Sequence, residues 1–486
     1  MGSVNPQQSH RARSTARFSP RAGARYVGTV RSPPVRRMEL SSNPVACRPV
    51  DRILKQTTAA CPLCLERVPG QVIERDTQVF LQRRCPEHGD GEALIASDAA
   101  LYWTAANAPS IGAGGCCGAA ENHSCTLIFE ITERCNLTCP TCFTASSPHL
   151  TWSMPFDEFA TKLDHLRAGG KADADIVQIS GGEPTTHPEF ERIVAHCFDR
   201  GVKKVYVNSN GVRLAADGEL VQRLAAIDGG QERLHIYLQF DGFAESTYAQ
   251  IRGSKNLFPV KQRAIDNLVA AGLFVVPVMT VTRGVNLDEI GDVIQMARQH
   301  HPHMTAVMLQ PAFYSGRYEN DTSARRLTMA EIVHEVVGQT DGLFSVADFG
   351  PIPCSNPNCF GMAVALVREG RLIPVSRYFP RFEDWTSPAV APLMSEVRDR
   401  LPATMLEAVG ESDTLDLLLD LIGESDDTAN WASYRDFFVV GIKPFMDAHT
   451  YDQDRVDACC VHVVDRAGVP VSLCEYNTLR RPRGLL

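Results

Sequence analysis

Residues 126–143 read TLIFEITERCNLTCPTCF and join a strand-like segment to a loop with three cysteines. The β-branched and aromatic side chains of residues 126–132 predict a β-strand. Cys135, Cys139 and Cys142 then follow with the spacing C-x3-C-x2-C. Three thiolates in one loop can hold three corners of a 4Fe-4S cube, which leaves the fourth iron open to a small molecule. A zinc loop is the alternative, but the sequence offers it no fourth ligand nearby.

Similar strand-like segments recur toward the C-terminus, at residues 176–180, 203–208, 234–240, 273–281 and 305–310. Helical patterns fill the gaps between them, and one apolar stripe that includes Cys197 predicts a packed core residue there rather than a ligand. Six such units average about 31 residues, the length of a βα unit. We therefore expect an α/β fold in which six parallel strands close into a partial (β/α)6 TIM-like barrel, with ligands at the carboxyl ends of the strands.

The loop after the second predicted strand is Ser180-Gly181-Gly182-Glu183-Pro184. Paired glycines let the backbone approach a ligand closely, and their carbonyl groups can accept hydrogen bonds from an ammonium group. Such a loop is weak evidence alone. Because this glycine loop follows the next strand after a C-x3-C-x2-C loop, the two loops together are strong evidence for a ligand site.

Through CNLTCPTC at 135–142 and GGEP at 181–184, the sequence resembles the radical S-adenosylmethionine (radical SAM) superfamily. The resemblance implies that a 4Fe-4S cluster on the three cysteines passes an electron to bound SAM, which is cleaved to methionine and a 5′-deoxyadenosyl radical. It also implies a set of SAM-binding residues: Phe143, Gly181, Gly182, Glu183, Pro184, Asn208, Ser209, Asn210, Gln239 and Asp241. A loop cap and a helix N-cap are the alternative interpretations of the turns at 208–211 and 239–242.

Across about residues 61–480 the chain looks most like the archaeal branch that contains the tetraether lipid synthase and a radical SAM methylase of methanopterin biosynthesis. The similarity is carried by CPLC at 61–64, CPEHG at 85–89, PIPCSNPNC at 351–359, CCVH at 459–462 and CEYN at 474–477. This resemblance implies C–C bond formation or methylation at an unactivated carbon of a lipid or pterin-like substrate. It also implies an external electron donor of the flavodoxin or ferredoxin type.

Two groups of residues outside the barrel indicate further metal centres. Cys61, Cys64, Cys85 and His88 have the ribbon spacing of a tetrahedral S3N site for one zinc or one mononuclear iron, and a coincidental hairpin is the alternative. Eight more cysteines could ligate one or two auxiliary 4Fe-4S clusters: Cys116, Cys117, Cys125, Cys354, Cys359, Cys459, Cys460 and Cys474. Ala119-Ala120 stands where the family carries another cysteine, so His123 or His462 could substitute. A zinc-stapled cap is the alternative for the C-terminal set.

Charge and composition limit the remaining choices. Residues 1–60 carry a formal charge of +9 and the rest of the chain carries −18, which argues against nucleic acid as the main partner. The longest apolar run is far shorter than a membrane span needs, so we expect no transmembrane span. Sixteen cysteines without a secretory signal favour metal ligation in a reducing compartment, which predicts a cytoplasmic protein. The basic start is interpreted as a disordered extension, with a transit peptide or an early start codon as alternatives.

We therefore divide the chain into a disordered basic extension (1–55), a metal-ribbon domain (56–120), a radical SAM partial barrel (121–320) and a C-terminal auxiliary iron-sulfur domain (321–486). Two helices are expected between residues 392 and 423. A lipid substrate would need a long apolar channel, lined by aromatic side chains such as Phe313, Tyr314, Phe437, Phe438 and Phe445. A pterin would need a compact pocket with a few convergent polar groups. A peptide-modifying radical SAM enzyme and a non-catalytic iron-sulfur electron carrier or redox sensor are the alternative functions.

Overall fold

The computed structural model describes residues 51–104, 124–168, 176–318, 326–352, 355–368, 370–374 and 434–485. Most of the predicted basic extension lies outside these residues, as do the two helices expected between 392 and 423. Three predicted ligands, Cys116, Cys117 and Cys354, also lie outside them. The described residues all belong to one compact unit.

The N-terminal part is a four-stranded antiparallel meander of strands β1 to β4, which span Arg52–Ala60, Arg67–Arg75, Gln78–Cys85 and Gly89–Ala96. Asp76 and Thr77 both have positive φ, as the tight two-residue turn between β2 and β3 requires. Alternate side chains such as Val72 and Leu81 are fully buried, because the strand period of two sends them all to one face. The turns β1–β2 and β3–β4 carry the four predicted metal ligands.

A second sheet contains six parallel strands in chain order, β5 to β10, which span Thr126–Thr132, Ile176–Gly181, Lys204–Ser209, Leu234–Gln239, Phe274–Val281 and Ala306–Pro311. Their bounds confirm the six predicted strands to within one residue at each end. Side chains alternate between two environments, so that Val177 and Ile179 are buried in the core while Gln178 and Ser180 line a cavity.

Helices pack against the core face of this sheet. Helices α1 to α8 span Phe156–Ala168, Phe190–Asp199, Val212–Ala216, Gly218–Asp228, Glu245–Arg252, Phe258–Ala270, Ile290–Gln299 and Met329–Gln339. Helix α2 buries the predicted apolar stripe, and Cys197 on it is fully buried in the main core, which confirms its prediction as a core residue. Among the described residues, no helix has the length and apolarity needed to cross a bilayer.

The C-terminal part of the chain extends the same sheet at both edges. Strands β11 to β16 span Gly350–Pro351, Gly361–Arg368, Arg371–Pro374, Phe437–Ile442, Val461–Val464 and Pro470–Ser472, and the short helices α9 and α10 span Gln453–Asp457 and Leu473–Glu475. Strand β14 pairs in parallel with β10 and then antiparallel with β12, whereas β15 pairs in parallel with β5 at the other edge. One π-helical turn, Tyr476–Arg480, follows α10. The two edge strands of the parallel set, β5 and β10, are therefore each paired with a strand from later in the chain.

Candidate active site

A cavity of about 370 Å³ lies on the face of the sheet opposite the helices. Its wall brings together most of the predicted cluster and SAM residues from four separate loops: Cys135, Cys139, Cys142, Phe143, Gly181, Gly182, Glu183, Asn208, Ser209, Asn210 and Gln239. Two predicted SAM residues, Pro184 and Asp241, are buried but do not line this cavity. Loops at the carboxyl ends of neighbouring parallel strands converge in this way because the strands share one direction.

The three cysteines of the first loop line the same cavity, where Cys135 is buried and Cys139 and Cys142 are partly buried. Burial, together with the nearby charges of Glu183, Cys139 and Cys142, raises the pKa of the Cys135 thiol to about 12. Burial also raises the pKa of Cys139, although the nearby guanidinium of Arg252 opposes this. A group of iron ions binds thiolates and would offset their mutual repulsion. The three side chains therefore fit a three-thiolate iron-sulfur cluster.

Two glycines let the loop after β6 pack directly on the backbone that precedes Cys135. The Gly182 N–H donates to the Thr132 carbonyl at 2.7 Å, and the Glu183 N–H donates to the Arg134 carbonyl at 2.9 Å. Gly181 has a φ of +125°, and a Cβ there would lie 2.2 Å from the Thr132 oxygen. A Cβ on Gly182 would likewise lie 2.2 Å from the Arg134 oxygen. These positions therefore require glycine for the contact between the two loops.

The carboxylate of Glu183 is buried and accepts hydrogen bonds from its own chain. The donors are the Thr185 hydroxyl at 2.6 Å and N–H at 3.3 Å, the Ser209 hydroxyl at 2.9 Å and the Asn210 N–H at 2.7 Å. Burial raises the pKa of Glu183, and these hydrogen bonds oppose the shift. Asn210 in turn donates from Nδ2 to Asn136 Oδ1 at 2.6 Å. This carboxylate thus joins the loops after β6 and β7, and Asn210 extends the connection to the cysteine loop.

Asp241 lies behind the cavity wall and orients Arg252, which lines the cavity. The two side chains form two hydrogen bonds of 2.7 Å, and the Thr280 N–H donates to the same carboxylate at 3.1 Å. Burial disfavours the charge on Arg252, but Asp241 and the nearby Cys139 raise its pKa above the usual value. Asn286 supports this arrangement by donating to the backbone carbonyl of Asp241 at 2.7 Å. The pair fixes a permanent cation beside the cysteine loop.

Arg317 holds the cysteine loop from the other side, and no sequence pattern identifies this residue. Its guanidinium donates to the backbone carbonyls of Cys139, Ala145 and Ser146 at 3.0, 2.9 and 2.5 Å. Its N–H donates to the Cys142 carbonyl at 3.0 Å. Four bonds from one residue therefore span the loop that carries all three cysteines.

Lys261 is a fully buried lysine behind the third loop. Its ammonium donates to the Asn210 carbonyl at 2.5 Å and lies 6.0 Å from the centre of the Tyr248 ring. Burial lowers its pKa to about 8, although Asp241 opposes the shift. A sequence signal for this burial exists, because Lys261 precedes Ala264, Ile265 and Leu268 on the apolar stripe of α6.

The predicted ribbon ligands form a compact group at the turns of the N-terminal meander. Ligand atoms of Cys61, Cys64, Cys85 and His88 all lie within 4.8 Å of one another. The Cys64 and Cys85 sulfurs are 3.9 Å apart, and His88 Nδ1 lies 3.6 Å from Cys61 Sγ and 3.5 Å from Cys85 Sγ. A zinc tetrahedron with ordinary Zn–S and Zn–N bonds has edges of about 3.6 to 3.8 Å. The four side chains therefore fit one tetrahedral ion.

The described cysteines among the eight predicted auxiliary ligands fall into two groups. Cys359, Cys459 and Cys474 influence one another electrostatically, and the buried Arg455 donates from Nε to Cys359 Sγ at 3.4 Å. Burial raises the pKa of Cys474 to about 12. Cys125 and Cys460 instead line the main cavity, and the Cys125 N–H donates to the Cys460 carbonyl at 3.0 Å.

His462 and Ser124 are hydrogen-bonded to each other, with 2.9 Å between His462 Nδ1 and the hydroxyl. The other possible substitute ligand, His123, lies outside the described residues, as does Cys47 of the basic extension.

Comparisons with known proteins agree with this geometry. Residues 129–297 match the model of the radical SAM superfamily, and residues 53–97 match that of the HMPTM N-terminal zinc ribbon domain. The 7,8-dihydro-6-hydroxymethylpterin dimethyltransferase of Methanocaldococcus jannaschii is 30% identical over 482 residues, which cover 88% of this chain and 94% of that protein. The chain belongs to the radical SAM superfamily. It is therefore a radical SAM enzyme with an N-terminal zinc ribbon domain, which confirms the predicted superfamily.

More distant similarity is confined to part of the chain. The mycofactocin maturase MftC of Mycobacterium ulcerans is 27% identical over 186 residues, which cover 38% of this chain and 47% of that protein. The solved structure of Streptococcus suis SuiB bound to precursor peptide SuiA has a TM-score of 0.34 and 13% identity, and covers 42% of each chain.

Replacement of a ribbon ligand tests the tetrahedral site. We expect the chain to bind one zinc ion at the ribbon and His88→Ala to weaken this binding. Loss of a group that only orients a metal ligand costs roughly 10- to 100-fold in metal affinity, and loss of the ligand itself should cost more. The measurement is metal content after competition with a chelator. His165→Ala, on the exposed face of α1, is the control. Wild-type zinc retention by His88→Ala would refute the assignment.

Replacement of Arg317 tests how the cysteine loop is held. Arg317→Met removes three hydrogen bonds from a charged donor, each worth about 1.5–3 kcal/mol. We expect the reconstituted cluster of this variant to lose iron faster under a chelator and to show an altered electron paramagnetic resonance (EPR) spectrum. Arg317→Lys should recover part of the stability, and Arg263→Met, at an exposed position, should behave like wild type. Equal iron loss and identical spectra in Arg317→Met and wild type would contradict this role.

Proposed function

We propose that the chain is a radical SAM methyltransferase that modifies an unactivated carbon of a pterin-like small molecule. The observation that carries the proposal is the similarity to the M. jannaschii pterin dimethyltransferase, which extends over 88% of the chain and is not confined to the radical SAM region. The N-terminal part of the chain is also matched, because residues 53–97 fit the HMPTM N-terminal zinc ribbon domain.

In this proposal Cys135, Cys139 and Cys142 hold the catalytic 4Fe-4S cluster. The strands β5 to β10 form the partial barrel, and the carbonyls of Gly181 and Gly182 bind the SAM ammonium group. When bound, the cluster and SAM supply one-electron cleavage and hydrogen-atom abstraction, which acid–base chemistry cannot provide at such a carbon. Reduction depends on an external electron donor.

The remaining predicted SAM residues divide into contacting and positioning groups. Phe143, Asn208, Ser209, Asn210 and Gln239 line the cavity, which supports their proposed role in direct contact with SAM. Asp241 acts through Arg252, and the Glu183 carboxylate acts through the loops to which it is hydrogen-bonded. Pro184 begins a short 3-10 turn that Glu183 caps.

The chemistry of the cavity supports a compact, planar substrate. Tyr206 and Tyr237 lie side by side in the wall, with ring centres 4.7 Å apart, and offer aromatic surface to a flat ring. Gln178 and Gln310 project from β6 and β10 into the same space. A pterin presents both a flat face and hydrogen-bonding edges, so it matches this combination.

The positions of the aromatic side chains suggested for a lipid channel favour a pterin substrate over a lipid substrate. Of the five aromatic residues, only Phe313 and Phe445 line the cavity in the part of the chain that the structure describes. Phe438 is fully buried in the main core, and Tyr314 stacks on Tyr318 with ring centres 4.8 Å apart. Phe437 begins β14 outside the lining.

The other metal sites complete the proposal. Zinc occupies the ribbon site on Cys61, Cys64, Cys85 and His88. The eight further cysteines, from Cys116 to Cys474, serve one or two auxiliary 4Fe-4S clusters in a C-terminal iron-sulfur domain, with the domain boundaries near residues 55, 120 and 320.

A peptide substrate is the second candidate, and the partial similarity to the mycofactocin maturase favours it.

Removal of each cluster ligand tests the reaction type. Anaerobically reconstituted protein given SAM and a strong reductant should release 5′-deoxyadenosine. Cys135→Ala, Cys139→Ala and Cys142→Ala should each abolish this release, since a cube missing one of three thiolates loses its anchor. Cys197→Ala, in the core, should retain it. Unchanged release in any of the three ligand variants would disprove the catalytic assignment.

Isotope labelling tests the substrate class. Cells with and without the gene are fed methyl-labelled methionine, and their pterin, lipid and peptide extracts are compared. We expect label that depends on the gene to appear in a pterin. Label found only in a modified peptide would refute the pterin assignment and support the second candidate.

A further inference from the structure

Lys443 stands in the cavity wall directly after β14, at the edge where the parallel strands end. Its backbone N–H donates to the Leu309 carbonyl of β10 at 3.0 Å, which fixes the residue beside Gln310. Its ammonium lies 5.6 Å from the centre of the Phe360 ring and 6.0 Å from that of Phe445. Both rings line the same cavity. The lysine is therefore held between two aromatic faces, which attract a cation without neutralising it.

The charges in this cavity wall are otherwise satisfied by the protein itself. Arg252 is paired with Asp241. Glu183 is enclosed by hydrogen-bond donors, and Glu130 is bound to Arg481. For Lys443, by contrast, no carboxylate or other hydrogen-bond acceptor lies within bonding distance among the described residues.

The position of Lys443 in the sheet separates it from the proposed SAM loops. Those loops follow β5, β6, β7 and β8, whereas β14 lies beyond β9 and β10 in the strand order. A line of ring contacts leads from the cysteine loop to the lysine: Phe143 to Phe313 at 5.5 Å, then Phe313 to Phe445 at 6.1 Å. The cation thus shares the cavity with the loops expected to bind SAM but lies beyond Phe313 and Phe445 from the cysteine loop, in a part of the wall that those loops do not form.

We infer that Lys443 forms an anion subsite for the substrate, so that the preferred substrate is a pterin carrying an oxyanion group. This inference rests on the proposed function for the pterin ring, and it adds the charge of the substituent. A phosphate ester and a carboxylate share the required chemistry, because each presents several acceptor oxygens to the three donors of one ammonium group. Phe360 and Phe445 exclude water from two sides and strengthen the interaction.

Binding of three matched pterins tests the inference. The probes are 6-hydroxymethylpterin, its diphosphate ester and pterin-6-carboxylate, titrated into full-length reconstituted protein by fluorescence. A hydrogen bond to a charged group favours the anionic probe by roughly ten- to hundredfold in Kd over the neutral one. The two anionic arms distinguish a phosphate from a carboxylate substituent.

Two variants and a control identify the residue responsible. Lys443→Met should remove the preference for the anionic probes while binding the neutral pterin as wild type does. Lys443→Arg should retain most of the preference, because it keeps the charge. Lys255→Met, at an exposed position, makes the same charge change and should leave all three affinities unaltered. Iron content and circular dichroism spectra confirm that each variant is folded and loaded.

The outcomes separate this inference from the proposed function. Equal binding of neutral and anionic pterins by wild type overturns the inference and leaves the pterin function standing. Loss of SAM affinity in Lys443→Met also overturns it, because the lysine would then serve SAM. If no pterin binds but inorganic pyrophosphate binds wild type and not Lys443→Met, the anion subsite stands and the pterin function fails.

Discussion

The buried carboxylate of Glu183 and the backbone contact beside it hold the candidate site together. Four loops meet at one cavity, each after a different strand of the sheet, and these contacts join three of them. The carboxylate accepts hydrogen bonds from Thr185, Ser209 and Asn210, while its own N–H and that of Gly182 bind the backbone of the cysteine loop. A buried carboxylate left without such donors would be strongly destabilising. The loops therefore stabilise the charge of Glu183, and the carboxylate in turn positions the loops.

Later parts of the chain contact the wall of the same cavity. Arg317 binds the cysteine loop from the segment after β10. Arg481 and Tyr476, near the C-terminus, bind the carboxylate of Glu130 on β5 at 2.5 and 3.4 Å. Because both partners of the Glu130–Arg481 pair are largely buried, loss of either would leave an uncompensated charge in the wall. Residues more than 300 positions apart in the sequence thus form one wall.

Much of this was predictable from the sequence where the signal is local. The strand period placed β5 to β10 to within one residue. Cysteine spacing identified the ribbon site and predicted the cysteine loop that lines the cavity. Long-range contacts had no such signal: the pairing of β14 with β10 and of β15 with β5 follows no fixed spacing. Arg317 likewise contacts a loop more than 170 residues earlier, and Asp241 accepts a hydrogen bond from Thr280, 39 residues later. Lys261 had a local signal, its place on an apolar stripe, which a search for ligand motifs does not detect.

The most direct test is whether the Glu183 carboxylate positions the proposed SAM loops against the proposed cluster. EPR spectra of the reduced protein are recorded with and without SAM, for wild type and for Glu183→Gln, which keeps the shape but loses the charge. The account predicts that SAM changes the wild-type spectrum and that the variant keeps its iron but needs more SAM for a weaker change. A variant with the same iron content, the same spectral change and the same SAM affinity as wild type would contradict it.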